Sequence, residues 1–197
     1  MFADDTRQLV LPEEQDALNF GIPVVGTHCP CCYRAGRRLP ASTQWPTCRF
    51  GYDFPNKPQA AVGSAAMYGH IWCLRVAILG CGDPSSCGPA AMGHAAAHGH
   101  LGCLRLGHEM GLVWDATTLF WAAQCGHYDC LKYALEHGCP LSDRATLGAA
   151  ADRHDDVRCM ALAYESGCSW HPRTTAVALE HHNIKIARYL AQHGCPQ

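Results

Sequence analysis

Cysteine and histidine dominate the chemistry available to this chain, with 14 and 13 of them in 197 residues. Both ligate zinc, and a cysteine activated by a histidine is the nucleophile of thiol hydrolases. The densest cluster is Thr27-His28-Cys29-Pro30-Cys31-Cys32. Cys29 and Cys32 have the C-x2-C spacing of a zinc knuckle, and Cys48 follows nearby. His28, Cys29, Cys32 and Cys48 would make a closed tetrahedral site of the Cys3His type. Metal binding would then supply folding energy to a Pro-rich stretch that has few other ways to become ordered. The second C-x2-C pair of a tidy knuckle is missing from the sequence.

Enzymatic motifs are scarce. His108-Glu109-Met110-Gly111-Leu112 begins like the metal-binding helix of a zinc protease but lacks the second histidine. There is no phosphate-cradling P-loop and no G-x-S-x-G elbow. Neighbours such as Cys125 and His127 are expected by chance in a chain this rich in both residues. The expectation is a non-enzyme without a cofactor.

The elements that must position these residues are clearest in Thr117–Pro140. Thr117 or Thr118 can cap a helix, because a hydroxyl accepts from an amide of the first turn. Leu119, Trp121, Ala122 and Ala123 give that helix an apolar side, and Gly126 ends it. Asp129 then sits in the first turn of a second helix, where negative charge suits the dipole. Cys130, Leu131, Ala134 and Leu135 fall on one face at helical spacing. Gly138 stops the second helix and Pro140 prevents its resumption.

One helix pair cannot bury its own apolar face, but a stack can. The pattern recurs. An inter-helix turn begins at Gly69, Gly99, Gly126, Asp155 and His182, and a second-helix ending falls at Gly80, Gly111, Gly138, Gly167 and Gly194. Two independent landmarks thus advance together, by roughly 27–31 residues per unit, within the range of helical repeats. Gly82–Pro89 reads as a loop, Asp152–Asp156 carries one extra residue in its turn, and the last unit is polar, as a terminal repeat facing water would be.

The repeats reassign most of the cysteines and histidines. One column reads Cys73, Cys103, Cys130, Cys159, Ile186, and another reads Leu112, Cys139, Cys168, Cys195. Isoleucine and leucine bind no metal, so these slots call for a small apolar side chain, which a reduced cysteine supplies. The turn column His70, His100, His127, Asp156, Asn183 shares hydrogen-bonding ability and little else, which suggests bonds to local backbone. The slot before it, with Gly69, Gly99, Gly126, Asp155 and His182, fits a left-handed backbone position.

Ala122-Ala123-Gln124-Cys125-Gly126-His127, with Cys130-Leu131-Lys132-Tyr133 and Gly138, resembles the core of an ankyrin repeat. Ala65–Leu74 and Ala95–Leu104 are similar, and the resemblance covers residues 59–197. The chain departs from the family in two respects. Thr117-Thr118-Leu119-Phe120 stands where Thr-Pro-Leu-His is usual, and most steps are shorter than the family's roughly 33 residues. The missing length lies between Gly138 and Thr146, where the family carries its β-hairpin finger, so a simple loop is expected there.

The fold expected is therefore all-α: an ankyrin-like helical solenoid of about five helix pairs over 59–197, preceded by an irregular cap with the cysteine cluster over 1–58. The resemblance implies a non-enzymatic scaffold that binds another protein on its concave side. By position, Met67, Tyr68, His98, Gln124, Arg153, Glu180 and His181, just before the turns, are the candidate contacts. The alternative is a zinc-binding amino-terminal module with the repeats as its adaptor. A formal net charge of −2 argues against a general binder of nucleic acid or acidic membrane. With no apolar signal core and no run of about 18 apolar residues, the chain is expected to be an intracellular, cytoplasmic monomer.

Overall fold

The computed structural model describes residues 58–195 apart from Gly88. The cluster of His28, Cys29, Cys32 and Cys48 lies outside the described residues. Ten α-helices are found among the described residues, and no strand. They form five antiparallel pairs, all within one unit, Asp53–Gln197. The pairs are α1 (Pro58–Met67) with α2 (Ile71–Gly80), α3 (Ala90–Ala97) with α4 (Leu101–Glu109), and α5 (Ala116–Gln124) with α6 (Tyr128–Glu136). Then follow α7 (Arg144–Ala150) with α8 (Val157–Glu165), and α9 (Thr174–Glu180) with α10 (Ile184–Gln192). A 3-10 turn, Pro84–Cys87, occupies the first inter-repeat loop. The later inter-repeat connections are short loops without strands, as the missing length at each step requires.

First helices stack on first helices and second helices on second helices, in chain order. The first-helix layer is the tighter of the two, and its composition gives the reason. Ala65, Ala66, Ala95, Ala96, Ala122, Ala123, Ala149 and Ala150 are all fully buried there, where two helix backbones must approach. Gly148 marks the closest point. A Cβ placed on it would lie 2.4 Å from the carbonyl oxygen of Phe120 in the preceding first helix. The second layer packs larger side chains, including Leu74, Ile78, Leu104, Leu131, Met160, Ile186 and Leu190, each nearly or wholly buried.

The turn column behaves as expected. Gly69, Gly99 and Gly126 have φ of 72°, 71° and 70°, and Asp155 and His182 take the same left-handed region at 49° and 58°. The closing glycines Gly111, Gly138, Gly167 and Gly194 also have positive φ. In the first repeat, however, the left-handed residue is Gly82, because Gly80 is still the last residue of α2 and Cys81 is its C-cap. The helix runs on because the following Gly-Asp-Pro loop, not a short crossover, ends the unit.

Two local expectations need correction. Asp115, not a threonine, caps α5. Its carboxylate accepts from the Thr117 amide at 2.9 Å, and a charged acceptor outcompetes a hydroxyl for an unpaired first-turn amide. Trp121 is 42% exposed and faces outward, so the buried face of α5 is Thr118, Leu119, Ala122 and Ala123.

Candidate functional site

The residues before the turns end the first helices, and the packing of those helices brings them into a row along one edge of the array. Tyr68, His98, Arg153, Glu180 and His181 are exposed, while Met67 and Gln124 are half-buried. The ring of Tyr68 lies 6.4 Å from that of His70, and the ring of His98 stacks 6.1 Å from that of His100. Glu180 forms an exposed ion pair with Arg173 at 3.7 Å. Gln124 turns its Oε1 into the protein without a partner.

Beneath this row runs a ladder of bonds between repeats. The side chains of the turn column reach the preceding repeat, not local backbone as the sequence suggests. His100 Nε2 donates to the carbonyl of Met67 at 3.1 Å, and His127 Nε2 donates to that of Ala97 at 3.1 Å. A carbonyl can only accept, so Nε2 carries the proton in both rings. Each ring also covers the glycine of the repeat before it. A Cβ on Gly69 would lie 2.7 Å from the His100 ring, and one on Gly99 would lie 2.6 Å from His127. Glycine is thus required twice over, by φ and by the next repeat's imidazole. Burial, outweighing the Met67 bond, and the neighbouring His98, His127 and His70 hold the His100 pKa below its ordinary value.

The ladder changes its chemistry at the fourth repeat. In the other four repeats the residue before the second helix donates its amide to a first-helix carbonyl, as His127 does to Ala122 at 2.9 Å. In the fourth repeat the extra turn residue breaks that geometry, and Asp156 donates its amide to the buried carboxylate of Asp152 at 3.0 Å. Asn183 then donates to the carbonyls of Ala150 and Asp152 at 2.9 and 2.7 Å. Asp155, which occupies the glycine slot, accepts from the amides of Lys185 and Ile186, both at 3.1 Å, and so caps α10 of the next repeat. Where the glycine–histidine pairing is lost, an aspartate–asparagine pairing holds the same junction.

The sequence did not disclose Trp121 as a surface residue. Its indole packs 3.4 Å from where a Cβ would stand on Gly93 and edge-on to Phe120, with ring centroids 5.1 Å apart. A tryptophan spaced like the apolar face of a helix reads as core; the small Gly93 of the preceding repeat was the only hint that it lies across the stack.

The thiols offer no nucleophile along this row. Burial raises the Cys125 pKa, the reverse of what thiolate chemistry needs. Cys130, Cys139 and Cys159 are pushed up to about 12, chiefly by burial, and each is an unbridged, buried thiol. The other column of basic side chains is solvated or stacked: Arg75 and Arg188 are exposed, Lys132 pairs weakly with Glu136 at 3.9 Å, and Arg105 lies over the Tyr133 ring. Among the described residues no group of three His, Cys, Asp or Glu side chains is placed to hold a metal ion.

At the opposite end of the hairpins two aromatic clusters clamp successive repeats. His108 stacks on Trp114 at 4.3 Å and shares a 3.1 Å hydrogen bond with the Tyr133 hydroxyl, while Tyr133 stacks on His137 at 3.9 Å. Two repeats on, Tyr164 stacks on Trp170 at 4.3 Å, and Tyr189 and His193 complete the same figure.

No family model matches the chain, and no curated protein matches it by sequence. Among solved structures it is similar to the crystal structure of the human ASB11 ankyrin repeat domain, at 18% identity and a TM-score of 0.56. The likeness covers 68% of this chain and 69% of that one. The fold is therefore that of an ankyrin-type helical solenoid.

Proposed function

We propose that the chain is a non-enzymatic scaffold that binds another protein along the row of side chains before its turns. The observation that carries this reading is a division of labour within each repeat. The positions that join neighbours, at the Ala-rich faces and the turn ladder, repeat the same physical solution. The adjacent exposed positions Tyr68, His98, Arg153, Glu180 and His181 repeat nothing. Mixed aromatic, cationic and anionic side chains on a preformed frame suit specific recognition, because little ordering cost remains to be met on binding. Trp121, a rigid aromatic with a fixed seat on Gly93, would extend the surface and is the residue type most often dominant in interfaces. The fold likeness favours a binding role over catalysis. Residues 1–58 would cap the array, and the protein would act as a cytoplasmic monomer.

The test is affinity purification from the native cell with the full chain and a Tyr68→Ala, Arg153→Ala, His181→Ala variant, both checked for helix content by circular dichroism. The proposal expects the partner to be lost from the variant at unchanged helicity. Retention of every partner would refute the row as the binding surface.

The cysteine cluster keeps a second reading in play. A zinc module formed by His28, Cys29, Cys32 and Cys48 would bring one equivalent of zinc with the purified protein. Stoichiometric metal analysis decides between that and a metal-free cap.

A further inference from the structure

Two cysteines belong to neither packing column. Cys81 caps the end of α2, with its amide bonded to the carbonyls of Ala77 and Ile78, and Cys87 closes the 3-10 turn that follows. Their sulfurs lie 2.7 Å apart, less than an ångström beyond a disulfide bond. Both are half-buried, whereas the column cysteines are shut into the core. The loop between them is exposed at Gly82, Asp83, Ser85 and Ser86. It is folded back on itself by Asp83, whose carboxylate accepts from the Ser85 amide at 3.0 Å and whose carbonyl accepts from Ser86 Oγ at 2.6 Å. The backbone is thus already bent into the shape that a six-residue bridge needs, and the approach is open to a small molecule.

We propose that Cys81 and Cys87 form a redox modification site that exchanges with low-molecular-weight disulfides to close an intramolecular bridge. The thiolate of Cys87 attacks one sulfur of the small disulfide. A mixed disulfide forms, and the other half leaves as a thiolate that takes up a proton. Cys81 then gives up its proton to solvent, and its sulfur attacks that of Cys87, expelling the second small thiol. The protein loses two electrons and two protons, and the small disulfide is reduced to two thiols. The order of attack follows from the surroundings of Cys81. Burial first, and then its partner's sulfur, push it up to about 12, so it is the poorer initial thiolate. Closure would pin the first inter-repeat connection to the end of α2.

The full chain is equilibrated in glutathione buffers of graded ratio, quenched in acid, alkylated under denaturing conditions and mapped by peptide mass. The peptide carrying both cysteines should lose two hydrogens and both alkyl labels together. Its oxidised-to-reduced ratio should change about tenfold for each tenfold change in the oxidised-to-squared-reduced glutathione ratio. Cys130 and Cys159 should remain fully alkylated in the same samples. In a Cys81→Ser variant, glutathione should stay attached to Cys87. Two labels on this peptide at every ratio would overturn the proposal, as would a glutathione adduct that persists on Cys87 in the unaltered chain.

Discussion

At the scale of single residues, the slots of this chain are defined by volume and backbone angle more than by chemical name. Cys130 is 2% exposed in a column that ends in Ile186, so its thiol serves as a small apolar group. Cys130→Val should change stability by less than about 1.5 kcal/mol in urea unfolding, as near-isosteric core swaps do. Leu131→Ala beside it, at 0% exposure, should cost about 2–5 kcal/mol through lost burial and an unfilled cavity. Gly148 is the sharper probe. A methyl there would stand 2.4 Å from the Phe120 carbonyl, which is backbone and cannot swing away. Gly148→Ala should therefore destabilise by about 1–3 kcal/mol or more. Gly138→Ala meets no atom within 4 Å and suffers only its φ of 80°, a penalty of about 1–2 kcal/mol. An equal or milder effect at Gly148 would mean that α5 and α7 do not touch as described. The packing columns were legible in the sequence because substitution within a column reveals what the slot tolerates. Trp121 was not, because its position on one helix turn is compatible with either side and only the neighbouring repeat decides.

At the scale of the element, the helix–turn–helix hairpin was readable from its punctuation, and its cross-links were not. Glycine at φ near 70° and the aspartate and histidine that replace it could be anticipated, since a left-handed turn admits few residue types. That the adjacent histidine reaches 3.1 Å across to Met67 of the preceding repeat could not, because the sequence records no register between stacked hairpins. The acceptor role of Asp152 was hidden for the same reason: it exists only because the turn is one residue too long. Asp152→Ala should cost about 1–3 kcal/mol by leaving the Asp156 amide without an acceptor, and Asp152→Asn, which keeps an oxygen, should cost less. The histidines add a pH dependence whose sign is fixed by their burial. His100 and His108 both have pKa values lowered from 6.5, by burial first and then by neighbouring histidines, with the Met67 bond and Glu109 opposing. The unfolded chain therefore binds more protons than the folded one across that interval. Their contribution to stability is complete above about pH 6.5 and is lost as pH falls through the lowered folded-state values. The urea midpoint should fall between about pH 7.5 and about pH 5, and fall less in a His100→Asn, His108→Asn variant. An identical drop in the variant would assign the pH dependence to other groups.

At the scale of the molecule, stability in a stacked array is a sum of repeat terms and junction terms, so its ends open more easily than its middle. Here the junctions are unequal. The approach of α5 to α7 is the closest in the first-helix layer, whereas α9 and α10 end the described array and have a neighbour on one side only. The last junction leans instead on polar contacts: Asn183 to the carbonyls of Ala150 and Asp152, and Asp155 to the amides of Lys185 and Ile186. Native-state hydrogen exchange should accordingly show the amides of α5 and α7 as the slowest, with α9 and α10 opening as a separate, less stable unit. Asn183→Ala should lower the opening free energy of α9 and α10 by about 1–3 kcal/mol, since two buried carbonyls would lose their donor, and should leave the slowest amides of α5 unmoved. Exchange of all five hairpins at one common free energy, shifted equally by the substitution, would show that the chain unfolds as a single unit. The junction would then be no place to expect independent motion, and the frame behind the turn row would be rigid along its whole length. A separate opening of the last hairpin would instead put Glu180 and His181 on a hinged segment, with Tyr68 and His98 outside it.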